Sequence, residues 1–136
     1  MSQRKVREMA LQMLFQSEMA QQSPSEVEDL FWLTRPTSDE TREKVQRLFR
    51  AATNREAEID HKIEEAVRRW RLDRLASVDR NILRMAIAEM LEFDTPAAVI
   101  IDEAIEIARR FGSEKSPDFV NGILDSVKTQ LEERRQ

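Results

Sequence analysis

Residues 77–93 read SVDRNILRMAIAEMLEF, a helical pattern around which the rest of this 136-residue chain is expected to pack. Ser77 can cap the first turn, and Asp79 lies where the positive end of the helix dipole favours an acid. The apolar residues occupy two neighbouring faces, with Ile82, Ala86 and Met90 on one and Leu83, Ile87 and Leu91 on the next. Because a surface helix has a narrower apolar stripe, we predict that this helix is central and covered on most sides.

The composition indicates an all-α protein. Hydrophobic residues make up 40% of the chain and charged residues 35%, with two glycines and no cysteine. No run of alternating β-branched residues is present, whereas apolar residues recur at helical spacing. The absence of cysteine excludes disulfides and thiolate metal sites and fits a reducing compartment. Since no secretory h-region and no apolar run of about 20 residues is found, we expect a cytoplasmic protein.

Pairs of a hydroxyl residue and proline divide the rest of the chain into helices. Ser23-Pro24, Thr95-Pro96 and Ser116-Pro117 each fit an N-cap followed by proline at the first helical position. Gly112 is expected to end the preceding helix in the left-handed conformation. Together with the apolar spacing, these signals predict about seven helices in one domain, without a repeat or a linker.

Residues suited to catalysis are too few to form an enzyme site. Glu58 and His61 have the Glu-x-x-His spacing of di-iron bundles, but such sites need two pairs and further glutamates, and His61 is the only histidine. Glycine-rich phosphate loops, nucleophile elbows and Cys/His pairs are absent from the sequence. We therefore predict a non-catalytic protein without a metal or cofactor.

Charge is unevenly distributed along the chain, although the net charge is only −4. Residues 68–84 hold six arginines, whereas residues 85–108 contain no lysine or arginine. Arg84 also interrupts the central apolar surface, so we expect it to reach an edge or to pair with a carboxylate. We predict that the acidic run docks a cationic protein, through Glu89, Glu92, Asp102, Glu103 and Glu106. The alternative is an acidic face in contact with solvent only.

The first helix, predicted from about Gln3 to Gln22, begins with Arg4, Lys5 and Arg7. Cations are mildly unfavourable at this end of a helix, so their presence favours an anionic partner. The alternative is a basic segment that only increases solubility. Three cations would give a salt slope of only about −2 on single-stranded RNA, so tight binding would need a second protein.

Four motifs occur in the order and at the separations typical of one protein family. They are REMALQMLF at 7–15, VDRNILRMA at 78–86, IDEAIEIA at 101–108 and SPDFVNGILD at 116–125. In these motifs, over nearly its whole length, the chain resembles the bacterial transcription antitermination factors of the NusB family. The segment FVNGILD is the most specific part of the match.

The resemblance implies two packed three-helix subdomains, which here would span about residues 1–74 and 75–136. Family members bind boxA RNA of ribosomal RNA transcripts together with NusE, a small-subunit ribosomal protein, and join the RNA polymerase antitermination complex. The family's arginine-rich helix start contacts RNA, and Arg4, Lys5 and Arg7 match it. Gln3 stands where many members have arginine, and Phe15 where tyrosine is usual.

Two phenylalanines are candidates for stacking on RNA bases. Phe119 matches a region that faces RNA in the family, and helical geometry turns it roughly 90° from the core stripe of the last helix. Phe15 keeps an aromatic ring, but Leu11 and Leu14 beside it could equally bury that side of the first helix. Two other functions stay open: a protein-only helical adaptor, and a detached accessory domain of an rRNA-modifying enzyme.

Overall fold

The structure is a computed structural model that describes residues 3–67 and 74–134. These residues form seven α-helices and no strand, which confirms the predicted all-α fold within the described ranges. The helices are α1 (Gln3–Ala20), α2 (Pro24–Phe31), α3 (Asp39–Asn54), α4 (Glu56–Val67), α5 (Ser77–Glu92), α6 (Ala97–Phe111) and α7 (Ser116–Arg134). Apolar spacing along the sequence also predicts Trp70 in the buried row of α4, but Trp70 lies outside the described residues, as do Arg68, Arg69 and Arg71.

Helix α5 lies at the centre of the fold and packs against α1, α3, α4, α6 and α7. Nine of its sixteen residues are buried, including Ile82, Leu83 and Ile87. The prediction of a central helix covered on most sides is therefore confirmed. Arg84 leaves the apolar surface as expected and pairs with Asp60 of α4 through hydrogen bonds of 2.7 and 2.9 Å.

The hydrophobic core is one cluster to which every helix contributes. Helices α5, α6 and α7 pack on one another, while α1 and α3 cover another side of α5. Because α5 belongs to both groups of contacts, it joins them. The division into subdomains near residue 74 stays a prediction.

The helix caps agree only in part with the sequence pattern. Ser23 caps α2 as predicted, since its hydroxyl accepts a hydrogen bond of 3.2 Å from the Glu26 N–H. The other expected caps are wrong because each helix begins one residue away from the expected position. Ser77 and Ser116 are the first residues of α5 and α7, and Pro96 rather than Thr95 is the N-cap of α6.

Gly112 ends α6, but the predicted left-handed conformation is wrong. Its backbone is extended, with φ −94° and ψ −167°. A Cβ atom at this position would lie 2.5 Å from Oγ of Ser116 and 2.8 Å from the carbonyl oxygen of Ala108. Glycine is therefore required here by the close approach of α7 and not by the handedness of the backbone.

Candidate nucleic-acid interface

The start of α1 places Arg4 and Lys5 on the surface, as predicted. The Arg4 guanidinium donates hydrogen bonds to both carboxylate oxygens of Glu103 on α6, at 2.7 and 3.4 Å. These bonds and the negative charge of Glu103 raise the pKa of Arg4. About half of the Arg4 side chain stays accessible to solvent, so a ligand can reach the guanidinium.

Arg7 faces the interior, and the expectation that it shares the exposed helix start is wrong. Its guanidinium donates two hydrogen bonds to Glu89 of α5, at 2.8 and 2.6 Å. Only 8% of Arg7 and 4% of Glu89 is exposed. The hydrogen bond to Glu89 raises the pKa of Arg7 and outweighs burial, which acts in the opposite direction. Neither side chain offers its charge to a partner in this structure.

A third ion pair joins α1 and α6, and here the acid is on α1 and the cation on α6. Arg110, near the end of α6, donates to both oxygens of Glu8 on α1, at 2.7 and 3.1 Å. Together with the pairs Arg4–Glu103 and Arg7–Glu89, it fixes the first two turns of α1 against α5 and α6. The basic helix start and the acidic run, predicted as separate binding regions, therefore meet inside one molecule.

The acidic residues predicted to dock a protein differ in exposure. Glu89 is buried, and the expectation that it belongs to an exposed acidic face is wrong because α1 covers it. Glu103 pairs with Arg4, Glu106 with Arg109, and Glu92 lies 3.8 Å from Arg55. Asp102 is exposed and has no ion-pair partner among residues 3–67 and 74–134. Cations of α1 thus compensate Glu89 and Glu103, whereas the cations next to Glu92 and Glu106 are Arg55 and Arg109.

The arginine-rich segment is largely internal where the structure describes it. Arg80 pairs with Glu18 of α1, and Arg84 pairs with Asp60. Burial lowers the pKa of Arg80, and the positive charge of Arg84 lowers it further. Arg74 is exposed. Arg80 and Arg84 therefore tie α5 to α1 and α4 instead of facing a partner.

Both candidate stacking rings have exposed surface. Leu11 and Leu14 are buried, but Phe15 beside them is 37% exposed and lines a cleft with Phe111 and Arg35. The alternative in which these leucines also bury Phe15 is therefore wrong. Phe119 is partly buried, packs against the core and keeps part of its surface accessible.

A cleft of about 380 Å³ lies beside the start of α1, and the sequence did not single it out. Its walls come from Gln3, Val6, Arg7, Lys44, Arg47, Leu48, Glu89, Phe93, Thr95, Val99 and Glu103. The apolar spacing of α6 predicts that Val99 is part of the core, but this prediction is wrong because Val99 is 45% exposed. The cations of α3 thus reach the same cleft as the first turn of α1.

The described part of the structure holds no cluster of side chains suited to bind a metal ion. His61 is exposed and pairs with Glu65 at 2.8 Å, and residues 3–67 and 74–134 contain no group of three possible metal ligands. None of the helices formed by these residues is long and apolar enough to cross a membrane.

Comparison with known proteins identifies the family. The model of the NusB family matches residues 4–129. This chain belongs to the NusB family. The transcription antitermination protein NusB of Koribacter versatilis is 49% identical in an alignment that covers 99% of this chain and 94% of the relative. NusB of Bacillus velezensis is 38% identical, with coverages of 97% and 99%.

Solved NusB structures have the same fold. NusB of T. maritima matches with a TM-score of 0.86 and 38% identity, over 93% of this chain and 90% of that chain. A structure of the antitermination factors NusB and NusE in complex with dsRNA matches with a TM-score of 0.82 and 25% identity, over 93% and 96%. NusB proteins are transcription antitermination factors and not enzymes, so the predicted family and non-catalytic role are confirmed.

Proposed function

We propose that this chain binds boxA RNA of ribosomal RNA transcripts together with NusE, and thereby supports antitermination by RNA polymerase in the cytoplasm. The observation that carries the proposal is the match, over 93% of this chain, to a chain of a solved complex of NusB and NusE with dsRNA. The exposed cations at the start of α1 and the accessible rings of Phe15 and Phe119 supply groups suited to phosphates and bases.

Within this proposal, Arg7 has a different role from Arg4 and Lys5. Arg4 and Lys5 contact phosphate, because their side chains are exposed at the first turn of α1. Arg7 acts as a positioning residue, since its buried pair with Glu89 holds that turn against α5. An RNA phosphate replaces Glu103 on Arg4, which is feasible because the Arg4–Glu103 pair is open to solvent and weakly held.

Titration of the protein with a boxA RNA and with a scrambled RNA of equal length tests the proposed function. Both RNAs are measured by gel shift with and without NusE. We expect weak binding by the chain alone and tighter, sequence-selective binding with NusE, because few cations of this acidic protein are available to RNA. Equal binding of the two RNAs in the presence of NusE would contradict the proposal.

Replacing Arg4 and Lys5 together with alanine is expected to weaken RNA binding without changing the melting temperature appreciably. Loss of two phosphate contacts should reduce the magnitude of the salt slope by about 1.4, at ~0.7 per contact. The matched control replaces Arg50 and Arg134, which are exposed on α3 and at the end of α7. An unchanged slope in the Arg4/Lys5 variant would show that these cations do not contact RNA.

Reversing the charge of Asp102 and Glu106 is expected to slow association with NusE and to reduce its dependence on salt. Both side chains are exposed on α6, and charges at the rim of an interface act mainly on the association rate. Glu64→Lys with Glu133→Lys is the control, since these acids are exposed on α4 and α7. If the stopped-flow association rate of the α6 variant equals that of wild type, the acidic run does not dock NusE and only contacts solvent.

One observation favours the alternative of a protein-only adaptor. Arg4 and Arg7 are both paired with glutamates of the same chain, so neither requires an anionic partner to balance its charge. If the chain is an adaptor, calorimetry would show that it binds NusE, and gel shift would show no binding of boxA RNA. The RNA titrations described above therefore decide between the two functions.

A further inference from the structure

The cleft beside the start of α1 contains an arginine whose charge is not neutralised by a carboxylate. Arg47 of α3 is exposed and forms no ion pair within the described part of the chain. Its guanidinium carbon lies 4.3 Å from the centroid of the Phe93 ring, at the end of α5. Arg50, one turn further along the same helix, is instead paired with Glu28 at 2.7 Å. Arg47 is thus held in place by an aromatic ring and keeps its donors available.

This arrangement has the properties of a contact for a nucleotide. A planar guanidinium can donate two parallel hydrogen bonds to a phosphate, and its face can stack on a base. The cleft has a volume of about 380 Å³, and Leu48 and Val99 give it apolar walls next to the Phe93 ring. A cleft of this size and lining is in the range of small-ligand sites. Lys44 adds a second cation from the same helix face.

The acidic residues of the cleft are outnumbered by its cations. Glu89 is paired with Arg7, and Glu103 is paired with Arg4 until a phosphate takes Arg4. Glu103 then faces two cations of α3 in the cleft, Lys44 and Arg47. Lys44 is paired only with Glu40 on the exposed surface of α3, at 3.3 Å. The charge left for a ligand in this cleft is therefore positive.

The cleft lies next to the basic start of α1. Gln3 and Glu103, the neighbour and the partner of Arg4, line the same cleft as Arg47. A strand of RNA whose phosphates contact Arg4 and Lys5 can therefore continue onto α3 without leaving the protein surface. We infer that Arg47, stacked on Phe93, forms an additional nucleotide subsite for single-stranded RNA. This inference rests on the proposed function, because it extends the RNA contact of the same surface.

Arg47→Gln tests the subsite in the complex with NusE, using boxA RNA extended at either end. We expect binding to weaken about tenfold, as for loss of one stacked base or phosphate contact, and the salt slope to fall by about 0.7 in magnitude. Arg50→Gln is the matched control and should bind as wild type does. Arg47→Lys should restore the salt slope but not the full affinity, because lysine lacks a planar face.

Three outcomes would overturn the inference. Wild-type affinity of Arg47→Gln, in an assay where the Arg4/Lys5 variant is weakened, would remove the subsite and leave the proposed function intact. Loss of NusE binding by Arg47→Gln in calorimetry without RNA would assign the cleft to a protein. Absence of RNA binding by the wild-type complex would reject the proposed function and the subsite with it. Crosslinking of 4-thiouridine RNA to the peptide containing Arg47 or Phe93 is the expected direct result.

Discussion

Replacing Arg7 with methionine is expected to lower the free energy of unfolding by about 3–5 kcal/mol, because Glu89 would stay buried without its cation. The pair is enclosed, with 8% and 4% of the two residues exposed, and it is joined by two short hydrogen bonds. An exposed pair provides the comparison. Arg50→Met, which removes the partner of Glu28 on the surface, should cost no more than about 1 kcal/mol. Urea denaturation of the two variants gives both values.

The double variant Arg7→Met with Glu89→Leu distinguishes loss of a partner from loss of packing. Two apolar side chains of similar size can replace a buried ion pair at little cost, so the double variant should recover most of the stability. A loss below about 1 kcal/mol in Arg7→Met alone would mean that water reaches the Glu89 carboxylate in solution. A double variant that unfolds as easily as Arg7→Met would mean that the shape of the pair matters more than its charge.

Phe119→Leu is expected to weaken RNA binding by about 1–3 kcal/mol while the melting temperature changes little. The leucine retains apolar contact with the core, but it removes the ring that would stack on a base. Phe119→Ala should reduce RNA affinity as well and also lower stability, by less than the ~3–5 kcal/mol of a fully buried phenylalanine. Its partial exposure is the reason for the smaller loss.

Phe15→Leu is the matched variant at the second ring, which is more exposed and lies on α1. Thermal unfolding and RNA titration of Phe119→Leu, Phe119→Ala and Phe15→Leu distinguish a ring that stacks on RNA from a ring that only stabilises the fold. If Phe119→Leu melts like wild type and binds RNA with unchanged affinity, Phe119 is not a stacking residue. If Phe119→Ala melts as far below wild type as a core variant does, the ring is structural, and its place among the RNA contacts is wrong.

The helices could be predicted from the sequence because their periodicity is local. The two apolar faces of α5 require only the order of residues 77–93, and this order also indicates that the helix is covered. The caps are less predictable. Whether Ser77 is the N-cap or the first helical residue depends on a shift of one position and on the φ and ψ angles of Ser77. In the structure, Ala76 is the N-cap of α5, with φ −59° and ψ 139°, and no side chain caps the first turn.

The pairing of Arg7 with Glu89 could not be predicted from local pattern, because 82 residues separate the two. A weaker signal was present. Arg7 stands four residues before Leu11 and seven before Leu14, so it shares their buried face. Glu89 lies within the wide apolar surface of α5. Two opposite charges on two apolar faces indicate a buried pair, but only the packing of α1 on α5 establishes it.

The pair Arg4–Glu103 connects the two ligands of the proposed function. A phosphate that takes Arg4 from Glu103 leaves an unpaired carboxylate on α6, close to the exposed Asp102. A cationic protein that binds α6 can then pair with Glu103 as well as Asp102. If the protein binds Glu103 first, Arg4 becomes available to RNA. Because such coupling is reciprocal, each ligand increases the affinity for the other by the same factor. Under the proposed function, one exchange of counterions would make the binding of RNA and protein cooperative without any movement of the backbone.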